Sequence, residues 1–312
     1  MAKPDRELSE HEAYGLLLLI SLVWAGNFMA GKLALEVVGP ITLAALRALL
    51  ASGVLLWYVR WSYAVWPVAT AADIRTFLIL ALTGLVCTTT LWYYGLHLTL
   101  AINAAIVGAS GPIFVALASA VWLRERLTWL NLAGIALSSA GVVLTVTRGS
   151  LRALLDLDLN VGDFVILAGQ GVWAVYSVYA RQVARRFPPT ILTTGTYLVA
   201  TVILVPLALI ERPWTALPAV TFSTVAAILY AAILVTVSHV WFFWGARVVP
   251  AAISALTVNL IPFEVLAFSW LFRHEPVTWV HVVGAVVVIL GAALATRKGS
   301  RLPSPPQGQR TG

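Results

Sequence analysis

Ten stretches of this chain are long and apolar enough to cross a bilayer, and few sequence features restrict a fold so tightly. A bilayer core offers no water to backbone N–H and C=O groups. A spanning segment must therefore satisfy them internally, as an α-helix of about 20 apolar residues does. Runs bounded by charge or by proline and glycine clusters place such helices at roughly 13–33, 39–60, 74–97, 101–123, 129–147, 161–184, 190–210, 220–245, 250–272 and 278–296. The composition agrees: 60% of the residues are hydrophobic and only 11% are charged, against about 25% charged in a soluble domain. The expectation is an all-α integral membrane protein.

The segments between the runs set the organisation. Residues 1–12 are polar and mixed in charge, and read as a cytoplasmic N-terminal segment without a cleavable signal peptide. Residues 13–147 form the first group of five helices, 148–160 a linker, 161–296 the second five, and 297–312 a basic, Pro/Gly/Ser-rich disordered tail. With the N-terminus inside, the inner segments hold Lys3, Arg6, Arg60, Arg75, Arg124, Arg126, Arg181, Arg185, Arg186, Arg247, Arg297, Lys298, Arg301 and Arg310. The outer ones hold Lys32, Arg148, Arg152, Arg212 and Arg273. That asymmetry predicts both termini on the cytoplasmic side of the cytoplasmic (inner) membrane. The net charge of +7 is dispersed among these flanks, so no nucleic-acid partner is expected. One cysteine, Cys87, excludes an internal disulfide framework, and no cofactor or metal site is expected.

The chain also repeats itself. RERLTWLNLAG (124–134) returns as HEPVTWVHVVG (274–284), so that Glu125, Thr128, Trp129 and Gly134 match Glu275, Thr278, Trp279 and Gly284 at an offset of 150. Gly95, Ala101, Pro112 and Gly141 match Gly245, Ala251, Pro262 and Gly291. At an offset of 149, Trp24, Ala25 and Pro40 match Trp173, Ala174 and Pro189. Five is odd, so the second group enters the membrane from the opposite side. The expected architecture is ten transmembrane helices as two inverted five-helix repeats, with a solute site near the midplane between them. The repeated threonines suit helix caps, and the glycine pairs suit close helix packing.

GPIFVALASAVWLRERLTWLNLAGIALSSAGVVL (111–144) resembles the proline–glutamate–glycine signature of EamA-type drug/metabolite transporters. WAGNFMAGKLALEVVGPITLAALRALLA (24–51) carries that superfamily's Trp, Lys32, Pro40 and Arg47 at similar spacing. The second half departs from the pattern, with HEP at 274–276 and no cation matching Arg47. The resemblance implies a drug/metabolite transporter fold whose cavity is formed by helices 1, 3, 4, 6, 8 and 9, with helices 5 and 10 peripheral. The abundance of aromatics within the helices is most similar to YddG-type aromatic amino-acid exporters.

The residues themselves suggest where a solute could sit. Of thirteen tryptophans, Trp24, Trp92, Trp173, Trp241 and Trp244 lie away from the span ends. Ser21, Trp24 and Asn27 share a slowly turning face of helix 1, and their repeat partners are Gln170, Trp173 and Tyr176. Thr88, Leu91 and Tyr94 on helix 3 correspond to Ser238, Trp241 and Trp244 on helix 8. Such stripes serve either as polar contacts between helices or as a site for a ring and an amino-acid headgroup. Ser254 and Asn259 precede Pro262, as Ser110 precedes Pro112, and both prolines are candidate hinges. Arg47 and Glu264 are candidates for a structural ion pair or, at Glu264, for proton coupling.

No phosphate-binding cluster of Lys and Arg is expected at the midplane, which favours a small, net-neutral solute, an aromatic amino acid above all. HExxH and GxSxG are absent and the histidines lack ligand spacing, so no catalytic residues are expected and the chain is not read as an enzyme. A channel would show a ring of charges or carbonyls. The partners expected are a small molecule and the lipid bilayer, with the chain acting as a monomer or homodimer. Other amino acids or amphipathic drugs are the rival cargoes.

Overall fold

The computed structural model describes residues 9–62, 70–122, 128–150, 160–183, 186–238, 241 and 260–295. Among them there is no strand. The helices are α1 (Glu10–Leu35), α2 (Pro40–Ser62), α3 (Ala71–Leu98), α4 (Ala101–Trp122), α5 (Trp129–Val146), α6 (Val161–Val183), α7 (Pro189–Ala208), α8 (Phe222–Ser238), α9 (Ile261–Phe268) and α10 (Trp279–Ala295). Short 3-10 turns at Leu209–Glu211 and Pro213–Ala219 join α7 to α8. Six stretches are long and apolar enough to cross a membrane: His11–Leu35, Pro40–Trp61, Ala71–Leu98, Ala101–Trp122, Val161–Ala180 and Thr190–Glu211. The chain is a multi-pass helical membrane protein.

Caps place several helix starts outside the apolar runs. The Thr70 hydroxyl accepts from the Asp73 N–H and the Asp73 carboxylate from the Thr70 N–H, which starts α3 at Ala71, three residues before the expected 74. Thr128 makes the same reciprocal box with Asn131 at the start of α5. At the matching point before α10, the Thr278 N–H donates to Nδ1 of His281 at 3.1 Å. Thr128 is a helix cap, as the sequence suggested, and Thr278 is tied through its N–H to the first turn of α10. Glu275 is engaged elsewhere. Glu275 lies against Arg273, with Nε–Oε1 at 3.6 Å, rather than on the first turn of α10.

Two further departures from simple helices recur. The π-helical segments Ala81–Cys87 in α3 and Tyr230–Leu234 in α8 occupy positions related by the 150-residue offset. In α4 the helix breaks at Ala109 and Ser110, where the Ser110 hydroxyl donates to the Val107 carbonyl at 2.6 Å. Pro112 then stands in the first turn of the restarted segment Gly111–Trp122, and Pro262 stands in the first turn of Ile261–Phe268. A proline ring blocks the hydrogen bond that would carry a helix through it.

Pairing directions follow from which positions touch. Gly141 faces Val288, Gly284 faces Thr145 and Gly291 faces Ser138, so α5 and α10 run antiparallel along a seam of small residues. Thr42 meets Glu211 and Ser52 meets Thr201 at 2.9 Å, which makes α2 and α7 antiparallel as well. Gly95 with Gly162, and Gly84 with Tyr176, do the same for α3 and α6. By contrast, Ser21 with Glu264 and Met29 with Ser269 make α1 and α9 parallel. The buried centre is Tyr93, Leu96, Ile102, Ile106 and Ile166, from α3, α4 and α6.

Candidate functional site

One group of interior polar contacts is built on α1, α8 and α9. The Trp24 indole N–H donates to the Ser238 hydroxyl at 2.9 Å, and that hydroxyl donates to the Val235 carbonyl at 2.7 Å. A Ser238 side chain used in both directions holds the indole ring at a fixed angle. Three residues earlier on α1, the buried Ser21 hydroxyl donates to Oε1 of Glu264 at 2.8 Å. Trp241 packs with Trp24 against Ala13, Leu17 and Ile20. The backbone of α1 is drawn onto α8 by Tyr230, whose hydroxyl donates to the Val23 carbonyl at 3.0 Å. Its ring lies where a side chain at Gly26 would stand, so glycine is required there for the two helices to meet.

Two acceptors in this region carry no hydrogen bond: Oδ1 of Asn27 and Oε2 of Glu264, both buried. Buried acceptors are nearly always paired, because stripping water from them without replacement costs about 1–3 kcal/mol each. Chemically the group offers one oriented ring face and two unpartnered oxygens. An ammonium group, which is all donor, complements those oxygens.

The corresponding stripe on α6 is divided. Gln170 is buried between Gly108 and Gly111 of α4. Trp173 is 39% exposed and lies 4.9 Å from Tyr176, whose ring packs on Gly84 of α3. Tyr94 points away from both stripes, with its hydroxyl 3.4 Å from Glu211. The rings that α3 turns inward are Tyr93, fully buried, and Trp92, packed over Gly108 and edge-on to Phe28 at 5.3 Å. Trp244, Ser254 and Asn259 lie outside the described residues. Arg47 and Glu264 are not each other's partners: Arg47 faces Tyr93 across the α2–α7 side, while Glu264 is engaged by α1.

Sequence reasoning missed two carboxylates. Asp163, fully buried in the first turn of α6, accepts from the Thr99 hydroxyl at 2.6 Å and ties α6 to the α3–α4 connection. Glu211 accepts from the Ile41 and Thr42 N–H groups and the Thr42 hydroxyl at 2.7–3.0 Å, capping α2 from the end of α7. Asp163 was visible as a charge inside an apolar run. Glu211 sits at a span end, where charges are ordinary.

The comparisons agree with this architecture. The sequence model of the EamA-like transporter family matches residues 12–147 and again residues 160–297. The chain belongs to the EamA-like transporter family: it is a membrane transporter, not an enzyme. An uncharacterized transporter of Archaeoglobus fulgidus is 32% identical over 287 residues, covering 91% of this chain and 96% of that one. The uncharacterized transporter YyaM of Bacillus subtilis is 26% identical over 284 residues, covering 91% and 93%. A probable terminal-alkyne amino-acid exporter of Streptantibioticus cattleyicolor is 28% identical over 312 residues, covering 96% and 99%. One solved crystal structure superposes with a TM-score of 0.61 at 20% identity, over 94% of this chain and 100% of that one, a likeness of fold alone.

Proposed function

We propose that this transporter is a ten-helix carrier of two inverted halves, 13–147 and 161–296, and that it exports aromatic amino acids by alternating access. Both termini face the cytoplasm in this reading. The antiparallel pairing of α2 with α7 and of α5 with α10, each helix lying against its own repeat partner, supports the inversion. So does the double match to the family, once per half. The positive-charge asymmetry supports the orientation.

The observation that carries the cargo assignment is the Trp24 ring fixed by Ser238, beside unpartnered oxygens on Asn27 and Glu264. A flat solute ring stacks on the indole while its ammonium donates to those oxygens. Glu264 is the coupling carboxylate, and the segment starts at Pro112 and Pro262 are the hinges. Gln170, Trp173 and Tyr176 would complete the site from α6 when the halves rock. An amino-acid exporter among the relatives supports amino acids in general, with the aromatic preference resting on Trp24.

Proteoliposomes test the reading directly. Flux should saturate, show counterflow, and be competed by phenylalanine and tryptophan better than by threonine, with a sugar phosphate inert. Threonine competing as well as phenylalanine would favour the broader amino-acid cargo. Cysteines at Arg124 and Arg273 should be labelled from opposite sides of the membrane; labelling from one side removes the inversion.

A further inference from the structure

Among the described residues, Arg47 is a buried cation without a counter-charge. Its Nη1 donates to the Tyr93 hydroxyl at 3.4 Å, Tyr197 lines the same cavity, and Nε is buried with no partner. The ion pairs among the described residues join Asp73 to Arg186, Glu36 to Arg273 and Glu275 to Arg273, and none reaches Arg47. An unpaired guanidinium inside a helical membrane protein is expensive, since removing an ion from water without compensation costs several kcal/mol even after relaxation.

Beside Arg47 lies a cavity of about 10 Å³ between α2, α3 and α7. Its polar walls are Arg47, Thr89 and Tyr197, and Ala44, Ala48, Leu85 and Leu204 complete the lining. Every polar side chain in that set can donate a hydrogen bond, and none is a carboxylate. Leu85 belongs to the π-helical stretch Ala81–Cys87, and such irregular turns recur at functional sites. The volume matches one water-sized body and leaves no room for an amino acid.

We propose that this cavity binds a single small monovalent anion of halide size, which neutralises Arg47 and locks α2 to α3 and α7. This site is separate from the α1–α8–α9 group and stands whether or not the cargo is aromatic.

Thermal unfolding of the purified full-length chain tests it, in sodium chloride against sodium gluconate at equal ionic strength. Saturating chloride should raise the midpoint by several degrees, because a ligand held only by the folded state stabilises it. Arg47→Gln should lose that chloride-dependent rise. Thr89→Val combined with Tyr197→Phe keeps the cation and should weaken the chloride midpoint concentration about tenfold. That variant carries the test if Arg47→Gln does not fold. Equal midpoints in chloride and gluconate, as expected for a water-filled cavity, overturn the proposal. So does a chloride effect untouched by the variants, or an Arg47-dependent rise produced by phenylalanine but not by chloride.

Discussion

The α5–α10 seam and the α1–α8–α9 group are both interior contacts between helices, yet they are made from opposite materials. Along the first, Gly141, Gly284 and Gly291 let backbones approach until Val288, Thr145 and Ser138 fill the space a side chain would need. The Thr145 hydroxyl there turns back to the Gly141 carbonyl of its own helix at 3.0 Å. Along the second, a ring is held by a hydroxyl, a carboxylate is half-used, and two oxygens are unpartnered. The most repetitive part of the sequence therefore marks packing. The less symmetric part, Ser238 and Glu264, carries polar contacts between helices. In lipid, where apolar surface gains little by leaving one helix for another, close small-residue contact is what holds a seam together.

Filling the seam should have the largest effect. Gly291→Leu forces a branched side chain into the Ser138 backbone, costing more than about 3 kcal/mol. The expected outcome is little folded protein in the membrane, read by size-exclusion profile. Normal yield would mean that the seam is not close-packed. Next comes the polar group, whose loss should spare the fold. Glu264→Gln should cut transport driven by a pH gradient at least tenfold and lower counterflow, which needs no net proton movement, much less, through weaker solute binding alone. Equal loss of both would leave the residue a solute-binding role without the coupling one.

Ser238→Ala removes the acceptor of the Trp24 N–H, a loss of about 1 kcal/mol, or roughly fivefold in aromatic solute affinity. Competition assays should show that weakening for phenylalanine and not for threonine. The smallest effect is expected at the exposed end of the same helices. Glu36→Gln breaks the 2.8 Å pair with Arg273 between the ends of α1 and α9. Half-exposed as it is, that pair contributes about 0–1 kcal/mol, so the thermal midpoint should barely move. A drop as large as that of a Gly291 variant would show that this end, rather than the seam, governs stability.

The helices were legible because apolar run length is a local property, and caps such as Thr70–Asp73 shifted their ends by only a few residues. The capping role of Thr128 was legible for the same reason. The division of the α6 stripe was not. Gln170 and Trp173 are three positions apart, but one is buried against α4 and the other is 39% exposed, according to which helix lies alongside. Trp92 stood among the five tryptophans away from the span ends but fell in neither stripe, and its contacts with Gly108 and Phe28 come from other helices. Arg47 and Glu264 shared one property in the sequence, charge within a span, and have separate surroundings in the fold.

By itself the sequence determined that this chain lives in a membrane, that it is all helix, and that its two halves are copies. Those follow from hydropathy, spacing and self-similarity, each carried by residues near one another in the chain. Only the tertiary structure decided which polar groups meet: Trp24 with Ser238, Ser21 with Glu264, Glu211 with the start of α2. The physical reason is that a hydrogen bond depends on position to a few tenths of an ångström, and residues more than 160 positions apart acquire that precision only when the helices carrying them are packed.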